Sequence, residues 1–442
     1  MDGVLDIWRY RLYDPLHHGA VLRQWRDLSA SQRWPRAELE ARQGRELDRL
    51  LEYAKRHVPY YADTLANFSG SAGVSGRDRL ARLPILTKET VRARKAELTS
   101  QDVRRGRIHV SRTGGSTGEP LEVATGMAGI VAAKAAVLRG REWAGLGLVD
   151  PGASLKAHGR ISRAGRWKAS LIHLRPFASS LSREHLLNDV IPALKARPPR
   201  YLTGYPSSLL GLAALLGEGE VRIPAILSTG EMLYPAQRAE LERIFAGRVF
   251  DSYGSNEVAS IAFECEHGRK HVTDEQVLLE VVDDSGQPIW DAPGRILVTD
   301  FRNRVMPFIR YELGDLGALT REPCPCGRNL LVLKELEGRT QDAIRGPNGV
   351  RLSGVFFAGR FRNLERIRAY QVVQTSETGV MLRYVPAGGD AEPEVREIAS
   401  IIRDRLGPEM RVEAARCDEL PLTRAGKTRL VVGWKAPDGG AP

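Results

Sequence analysis

The chain has 442 residues, 42% of them hydrophobic and 27% charged, with a formal net charge of +11. That composition excludes a chain disordered throughout, and the length allows two or three domains that each bury a core. Acids interleave with the basic residues, as in ELEARQGRELDRLLEYAKRH (38–57), so no nucleic-acid partner is expected, and an anionic small substrate or cofactor fits the surplus equally well.

The opening MDGVLDIWRYRLYDP has acids and aromatics where a secretory signal needs a basic end and an apolar run. No apolar stretch reaches the length that a bilayer demands, so a soluble, cytoplasmic protein without membrane insertion is expected. Leu39, Leu47, Leu50, Leu51, Ala54 and Val58 recur at helical spacing and predict an amphipathic helix over 36–58, ended by Pro59. A second helical stretch covers 127–147. AILST (225–229) reads as a strand before Gly230, PAQRAELERIFA (235–246) as a helix, and RVFDSY (248–253) as a strand before Gly254. This alternation predicts α/β layering, to which strands near 277–282 and 295–301 add. Past residue 338 the texture changes. GRTQDAIRGPNGVRLSG (338–354) predicts a linker or hinge with a small hairpin. Strands at 368–375 and 379–385 and a helix at 392–406 then make a small α+β domain, and the last seven residues, APDGGAP, read as a frayed tail.

Four polar segments carry candidate chemistry. Ser111–Pro120 packs three glycines and four hydroxyls into ten residues, an anion cradle that lacks the Gly-Lys-Ser/Thr ending of the common P-loop. Asp251-Ser-Tyr-Gly-Ser-Asn-Glu257 leaves a strand end through Gly254, where α/β sheets place ligands; Glu257 suits a magnesium ion and Tyr253 a purine face. In Arg310-Tyr-Glu-Leu-Gly-Asp-Leu-Gly317, Asp315 is an acceptor suited to ribose hydroxyls, although Gly-Asp alone usually marks a turn. Lys427 follows a glycine near the C-terminus.

The order of these segments resembles the adenylate-forming enzymes, most closely the phenylacetate–CoA ligase family and its branch associated with capsular polysaccharide synthesis. SRTGGSTGEP resembles that family's phosphate loop, ILSTGEML (226–233) its Gly-Glu segment and DSYGSNE its Tyr-Gly-x-Thr-Glu segment. RYELGDLG resembles Arg-Tyr-x-Thr-Gly-Asp, EGRTQDAI the Gly-Arg hinge, and LTRAGKTRL the terminal Gly-Lys. The resemblance implies that Thr113, Gly115, Ser116, Thr117 and Gly118 wrap ATP phosphates, and that Gly230, Glu231, Ser252, Tyr253 and Gly254 line the adenine. It further implies magnesium on Glu257, ribose on Asp315, phosphate or ribose on Arg339, and Lys427 entering for adenylation. Three positions depart from the pattern. Asn256 replaces a threonine and keeps a donor for the AMP phosphate, Leu313 replaces a threonine and loses a hydroxyl, and Gln341 stands at the hinge position with Asp342 beside it.

Cys265 and His271 in CEHGRKH, with Cys324 and Cys326 some fifty residues on, are three thiolates and one imidazole, a recognised tetrahedral zinc set; His267 competes with His271. The four cysteines of the chain are too few for a disulfide scaffold, and Cys417 is given no role.

The expected fold is α/β, a large N-terminal adenylation domain of layered sheets and helices (1–338) and a small mobile α+β C-terminal domain (339–442) that carries Lys427. The expected reaction is ATP-dependent activation of a small carboxylic acid through an acyl-adenylate, with Mg2+ assisting and coenzyme A as acceptor. An amine or carrier-protein thiol is the alternative acceptor. A non-catalytic nucleotide-binding protein is the second alternative, opposed by the retained Glu257, Asp315 and Lys427.

Overall fold

A computed structural model describes residues 4–15, 17–66, 80–102, 108–112, 121–157, 162–178, 183–339, 343–348, 350–354, 356–357, 361, 364–421 and 429–434. The predicted amphipathic helix runs Arg36–His57 and buries Leu39, Leu47, Leu50, Leu51 and Ala54. Pro59 ends it and also opens a new helix, Pro59–Thr64, at a first-turn position where a missing N–H costs nothing. Two further helices, Val4–Tyr13 and His18–Ser31, precede it and were not foreseen.

Strands β1 (Ile108–Arg112) and β2 (Glu122–Gly126) pair antiparallel on either side of the Gly-rich segment. The helix Met127–Trp143 follows at once and buries Val131, Ala135, Leu138 and Trp143. Next come β3 (Gly152–Ala157), β4 (Leu174–Ala178), β5 (Tyr201–Gly204), β6 (Ala225–Thr229) and β7 (Arg248–Tyr253). These five pair in parallel in the order β4-β3-β5-β6-β7. Helices Arg163–Leu171, Pro206–Ala213 and Pro235–Phe245 return the chain between successive strands. Short antiparallel strands β8 (Ala262–Glu264) and β9 (Lys270–Val272) extend the sheet from β7. With β10 (Val277–Val282), β11 (Gly294–Asp300), β12 (Tyr311–Thr320) and β13 (Val332–Arg339) they complete an eleven-stranded order among the described residues, β10-β11-β12-β13-β9-β8-β7-β6-β5-β3-β4. β10 alone buries six consecutive side chains, so it is covered on both faces. Asp315, in a Gly-Asp pair of the kind that usually marks a turn, stands inside β12.

The chain divides into two compact units. One comprises Met1–Glu231, Leu241–Leu313 and Gly317–Leu336; the other comprises Met232–Glu240, Gly314–Leu316 and Glu337–Pro442. Within the second, β14 (Ala343–Arg345) and β15 (Arg351–Ser353) make the expected hairpin. Strands β16 (Ile367–Gln374), β17 (Gly379–Pro386), β18 (Arg411–Arg416) and β19 (Val431–Val432) form a sheet in the order β18-β17-β16-β19. Helix Glu392–Leu406 buries Val395, Ile398, Ile402 and Leu406 in the core of that unit. Among the described residues no helix is long and apolar enough to cross a membrane.

One ion pair is sealed inside the larger unit. Arg139 is 0% and Glu275 1% exposed. Arg139 Nη1 donates to Glu275 Oε1 at 2.7 Å and to the Leu28 carbonyl at 3.3 Å, and Ser31 Oγ donates to the same carboxylate oxygen at 2.8 Å. The pair thus joins helix His18–Ser31, helix Met127–Trp143 and the approach to β10. Removing one partner strands the other charge without water, so Glu275→Ala should destabilise this unit by about 3–5 kcal/mol. The double change Arg139→Met, Glu275→Leu should recover most of that in urea unfolding; equal losses in single and double variants would contradict the assignment.

Candidate active site and metal centre

The carboxyl ends of β5, β6 and β7 lie side by side, with Thr203 paired to Leu227 and Thr229 to Ser252. Ligands in open parallel sheets bind outside such strand ends. Gly230 and Glu231 leave β6 here. Glu231 accepts from the backbone N–H and the hydroxyl of Ser207, both at 2.9 Å, at the start of helix Pro206–Ala213. Its negative charge therefore sits on the positive end of that helix. Ser252 spends its hydroxyl on the Ser228 carbonyl (3.0 Å), and Tyr253 is buried in the core.

The loop after β7 is built on Ser255. Its Oγ accepts from the N–H groups of Glu257 (3.2 Å) and Val258 (3.0 Å), while Ser255 N–H donates to the Val258 carbonyl (3.0 Å) and Ile261 N–H to that of Tyr253 (2.9 Å). This tight turn carries Gly254, Asn256 and Glu257. Glu257 Oε1 accepts from the Tyr311 hydroxyl at 3.2 Å and lies 3.8 Å from Lys88 Nζ. Neither Lys88 nor Tyr311 was named from the sequence as a functional group. Tyr311 sits in the RYELGD motif and could have been found there, whereas Lys88 lay in no motif.

Arg310 explains why these groups meet. Its side chain is buried beside Glu280, with Nε 3.4 Å from Oε1. It donates to the carbonyls of Ala81 (3.0 Å), Leu83 (2.8 Å) and Gly286 (2.6 Å). Leu86 N–H bonds the Arg310 carbonyl and Glu312 N–H the Leu86 carbonyl, both at 3.0 Å, which sets Lys88 near Tyr311. Asp315 follows four residues along β12. Arg339 ends β13, although its side chain lies outside the description. Thr113, Gly115, Ser116, Thr117, Gly118, Gln341 and Lys427 all lie outside the described residues.

Cys265, His271, Cys324 and Cys326 are all buried, and their donor atoms lie within 4.8 Å of one another. Cys265 Sγ is 3.8 Å from Cys324 Sγ, and Cys326 Sγ is 3.3 Å from His271 Nε2. A tetrahedron with metal–sulfur bonds of about 2.3 Å has S···S edges of about 3.8 Å, so the donor set fits zinc in kind and in size. Burial pushes His271 down to about 4, which leaves a neutral imidazole able to ligate at neutral pH. Burial also raises Cys265 and lifts Cys324 to about 12, whereas at Cys326 the hydrogen bonds and charge of Arg328 outweigh burial and lower it. His267 is exposed in the turn, whereas strand β9 buries His271 among the thiols.

Two matching turns present the thiols. Gly268 N–H bonds the Cys265 carbonyl at 2.9 Å and Gly327 N–H that of Cys324 at 3.0 Å. Each glycine has positive φ, +70° and +72°, a conformation that disfavours any side chain there. Around them Arg328 holds Glu266 (2.9 and 2.7 Å) and reaches Gln32 (3.2 Å), whose side chain also takes Trp143 Nε1 (2.7 Å). Between this centre and the β7 strand end, the half-buried Lys270 meets two buried carboxylates. Lys270 Nζ is 3.0 Å from Asp251 and 3.2 Å from Glu264, and Glu264 also accepts from Asp251 N–H at 2.9 Å. Burial raises Asp251 against the pull of Lys270.

Residues 344–433 match the CapK C-terminal domain family. The chain is 27% identical over 341 residues to a phenylacetate-coenzyme A ligase of Thermus thermophilus, covering 71% of this chain and 74% of that protein. In fold it is similar to a 2-hydroxyisobutyryl-CoA ligase solved in the postadenylation state with R3-HIB-AMP, with TM-score 0.75, 20% identity and coverage of 92% and 91% of the two chains. An anthranilate CoA ligase solved with anthranoyl-AMP gives TM-score 0.56 at 16% identity, over 82% and 70%.

The loop geometry makes its own test. Ser255→Ala removes the acceptor for two N–H groups and should cost about 1 kcal/mol. Amide exchange at Glu257 and Val258 should accelerate; unchanged exchange would show that Ser255 does not hold the loop.

Proposed function

We propose that the chain is a phenylacetate–CoA-ligase-like member of the adenylate-forming enzymes, which activates a carboxylic acid with ATP and passes the acyl group to coenzyme A. The observation that carries the reading is the cluster at the ends of β5, β6 and β7, where Glu231, the Ser252–Glu257 turn, Lys88 and Tyr311 gather.

In the first half-reaction a carboxylate oxygen attacks the α-phosphorus of ATP and pyrophosphate leaves. The second joins the thiol sulfur of coenzyme A to the acyl carbon and releases AMP. Transfer at phosphorus needs positioning and charge neutralisation more than covalent help. The Gly-rich segment 113–118 would cradle the phosphates with backbone N–H groups and hydroxyls. Gly230, Ser252, Tyr253 and Gly254 would border the adenine, and Glu231 would hold that border to helix Pro206–Ala213. Asn256 would donate to the AMP phosphate, Asp315 would accept from the ribose hydroxyls, and Arg339 would reach phosphate or ribose. A magnesium ion, when bound, supplies positive charge to the phosphates, and Glu257 would be its protein ligand. Tyr311 orients that carboxylate and Lys88 balances its charge. Lys427 would bring a positive charge to the attacking carboxylate, then leave as the C-terminal domain, 339–442, turns about Gln341.

Zinc on Cys265, His271, Cys324 and Cys326 would be structural, since four protein ligands leave no open position. Its effect on the site would run through the β8–β9 hairpin. That hairpin bonds directly to β7, with Tyr253 paired to Ala262, and Lys270 and Glu264 fix Asp251 beside Ser252. Among reducing compartments the cytoplasm suits three such thiols.

The reading as a whole is tested by supplying ATP, magnesium and coenzyme A with a panel of aryl and aliphatic acids. Stoichiometric AMP and thioester are expected with at least one acid. Pyrophosphate exchange without thioester would transfer the second step to another acceptor, and no exchange with any acid would remove catalysis altogether.

Lys427→Ala should slow adenylation on the order of a hundredfold or more, while thioester formation from a synthetic acyl-adenylate largely survives. Equal loss in both halves would contradict a lysine that departs after the first step. Glu257→Gln should weaken catalysis by at least about tenfold at limiting magnesium and spare AMP binding, because a neutral amide is a poor ligand for a hard cation. Equal activity of the two proteins there would end that role. Metal analysis should find one zinc per chain, and chelation or Cys324→Ser should lower the unfolding temperature. A zinc-free protein as stable as the chelated one and as Cys324→Ser would refute the site.

A further inference from the structure

Helix Val4–Tyr13 is turned the unusual way round. At about 100° per residue, Val4, Trp8, Leu12 and Leu5 fall within one arc of about 100°. That arc faces outward, with these four side chains 53% to 75% exposed, while Tyr10 on the opposite side is 5% exposed. The flanks of the arc are Arg11 on one side, its guanidinium 5.0 Å from the Trp8 ring centre, and Arg9 on the other. Helix Arg163–Leu171 packs against it and repeats the pattern. It buries Ala169 and exposes Trp167 (64%) among Arg163, Arg166 and Lys168. A surface helix normally does the reverse, burying the apolar stripe and exposing the polar one.

Adjacent exposed apolar side chains of this size mark a contact surface. Two features specify its partner. Tryptophan with leucine on an outward helix face is the composition that enters the headgroup boundary of a bilayer. The charged residues of the two helices are nearly all of one sign, with Arg9, Arg11, Arg163, Arg166 and Lys168 against Asp6 alone, although Arg9 also bonds His173. A second copy of this chain would set those arginines against their own kind, which opposes self-association, whereas an anionic surface complements them. We propose that helices Val4–Tyr13 and Arg163–Leu171 dock the protein peripherally on a bilayer rich in anionic phospholipid. Trp8, Leu12, Leu5 and Trp167 enter the headgroup region, and the basic rim pairs with lipid phosphates. Among the described residues no helix is long and apolar enough to cross a membrane, and the docking is independent of the ligase reading.

Vesicle co-sedimentation of the full chain tests this, with phosphatidylcholine alone and with roughly one-third phosphatidylglycerol added. The expected result is binding to the mixed vesicles at least about tenfold tighter than to neutral ones, weakening as salt rises. Trp8→Ser with Trp167→Ser, and separately Arg11→Glu with Arg163→Glu, should each lower that binding about tenfold or more while the unfolding temperature holds. No binding to either vesicle, equal binding to both, or binding unchanged in both double variants would overturn the proposal. So would a concentration-dependent dimer abolished by the tryptophan changes in a protein that ignores vesicles, because the face would then belong to a second copy.

Discussion

A guanidinium buried away from water needs acceptors and a counter-charge, and Arg310 meets carbonyls for its two terminal nitrogens and a carboxylate ion pair by drawing three separate stretches of chain together. The carbonyls of Ala81 and Leu83, the turn at Gly286 and the carboxylate of Glu280 all converge on it. The strap that ends at Lys88 is thereby fixed against the start of β12. Lys88 and Tyr311 then reach one oxygen of Glu257, whose own backbone is set by Ser255. The arginine of the RYELGD motif thus serves as a positioning residue, and the chemistry falls to its neighbours.

A second constraint surrounds the thiol–imidazole cluster, whose four residues come from two stretches of chain some fifty residues apart. The Cys324–Leu331 stretch grips the N-terminal helices through several short bonds. Asn329 N–H donates to the Gln32 carbonyl at 2.9 Å, and Asp274 takes Leu331 N–H at 2.8 Å together with the Arg36 guanidinium. On its other side the β8–β9 hairpin bonds to β7. One small centre therefore connects the outer helices to the strand that ends at the proposed nucleotide site, and the buried Arg139–Glu275 pair fixes the same helices from beneath.

The sequence was most legible where residue type alone dictates the outcome. Glycines punctuating AILST and RVFDSY marked two strand ends correctly, and the helical repeat from Leu39 to Ala54 needed nothing from the rest of the chain. The cluster of Cys265, His271, Cys324 and Cys326 was legible from the identities of its members, and the burial that β9 gives His271 sets it apart from the exposed His267. Strands β3 and β5 are short and largely buried, and β4 is a short, half-buried edge strand, so they lack the alternation by which strands are read. Helix Val4–Tyr13 carries helical spacing at Val4, Trp8 and Leu12, but the segment was weighed only as a secretory signal. Asp315 was legible as an acceptor, but its two flanking glycines gave no sign of the strand, which the neighbouring strands of the sheet impose on it in β12. Lys88 is 169 positions from Glu257, and no local pattern encodes a meeting that depends on Arg310.

The account rests on a carboxylate oxygen attacking the α-phosphorus of ATP, and an isotope can follow that oxygen. An acid that the enzyme turns over, labelled with oxygen-18 in both carboxylate positions, should be converted with ATP and coenzyme A and the AMP examined by mass spectrometry. The account predicts one labelled oxygen in each AMP, left behind when the thiol takes the acyl group, and none in pyrophosphate. Unlabelled AMP beside a completed thioester, or label in pyrophosphate or inorganic phosphate, would contradict it.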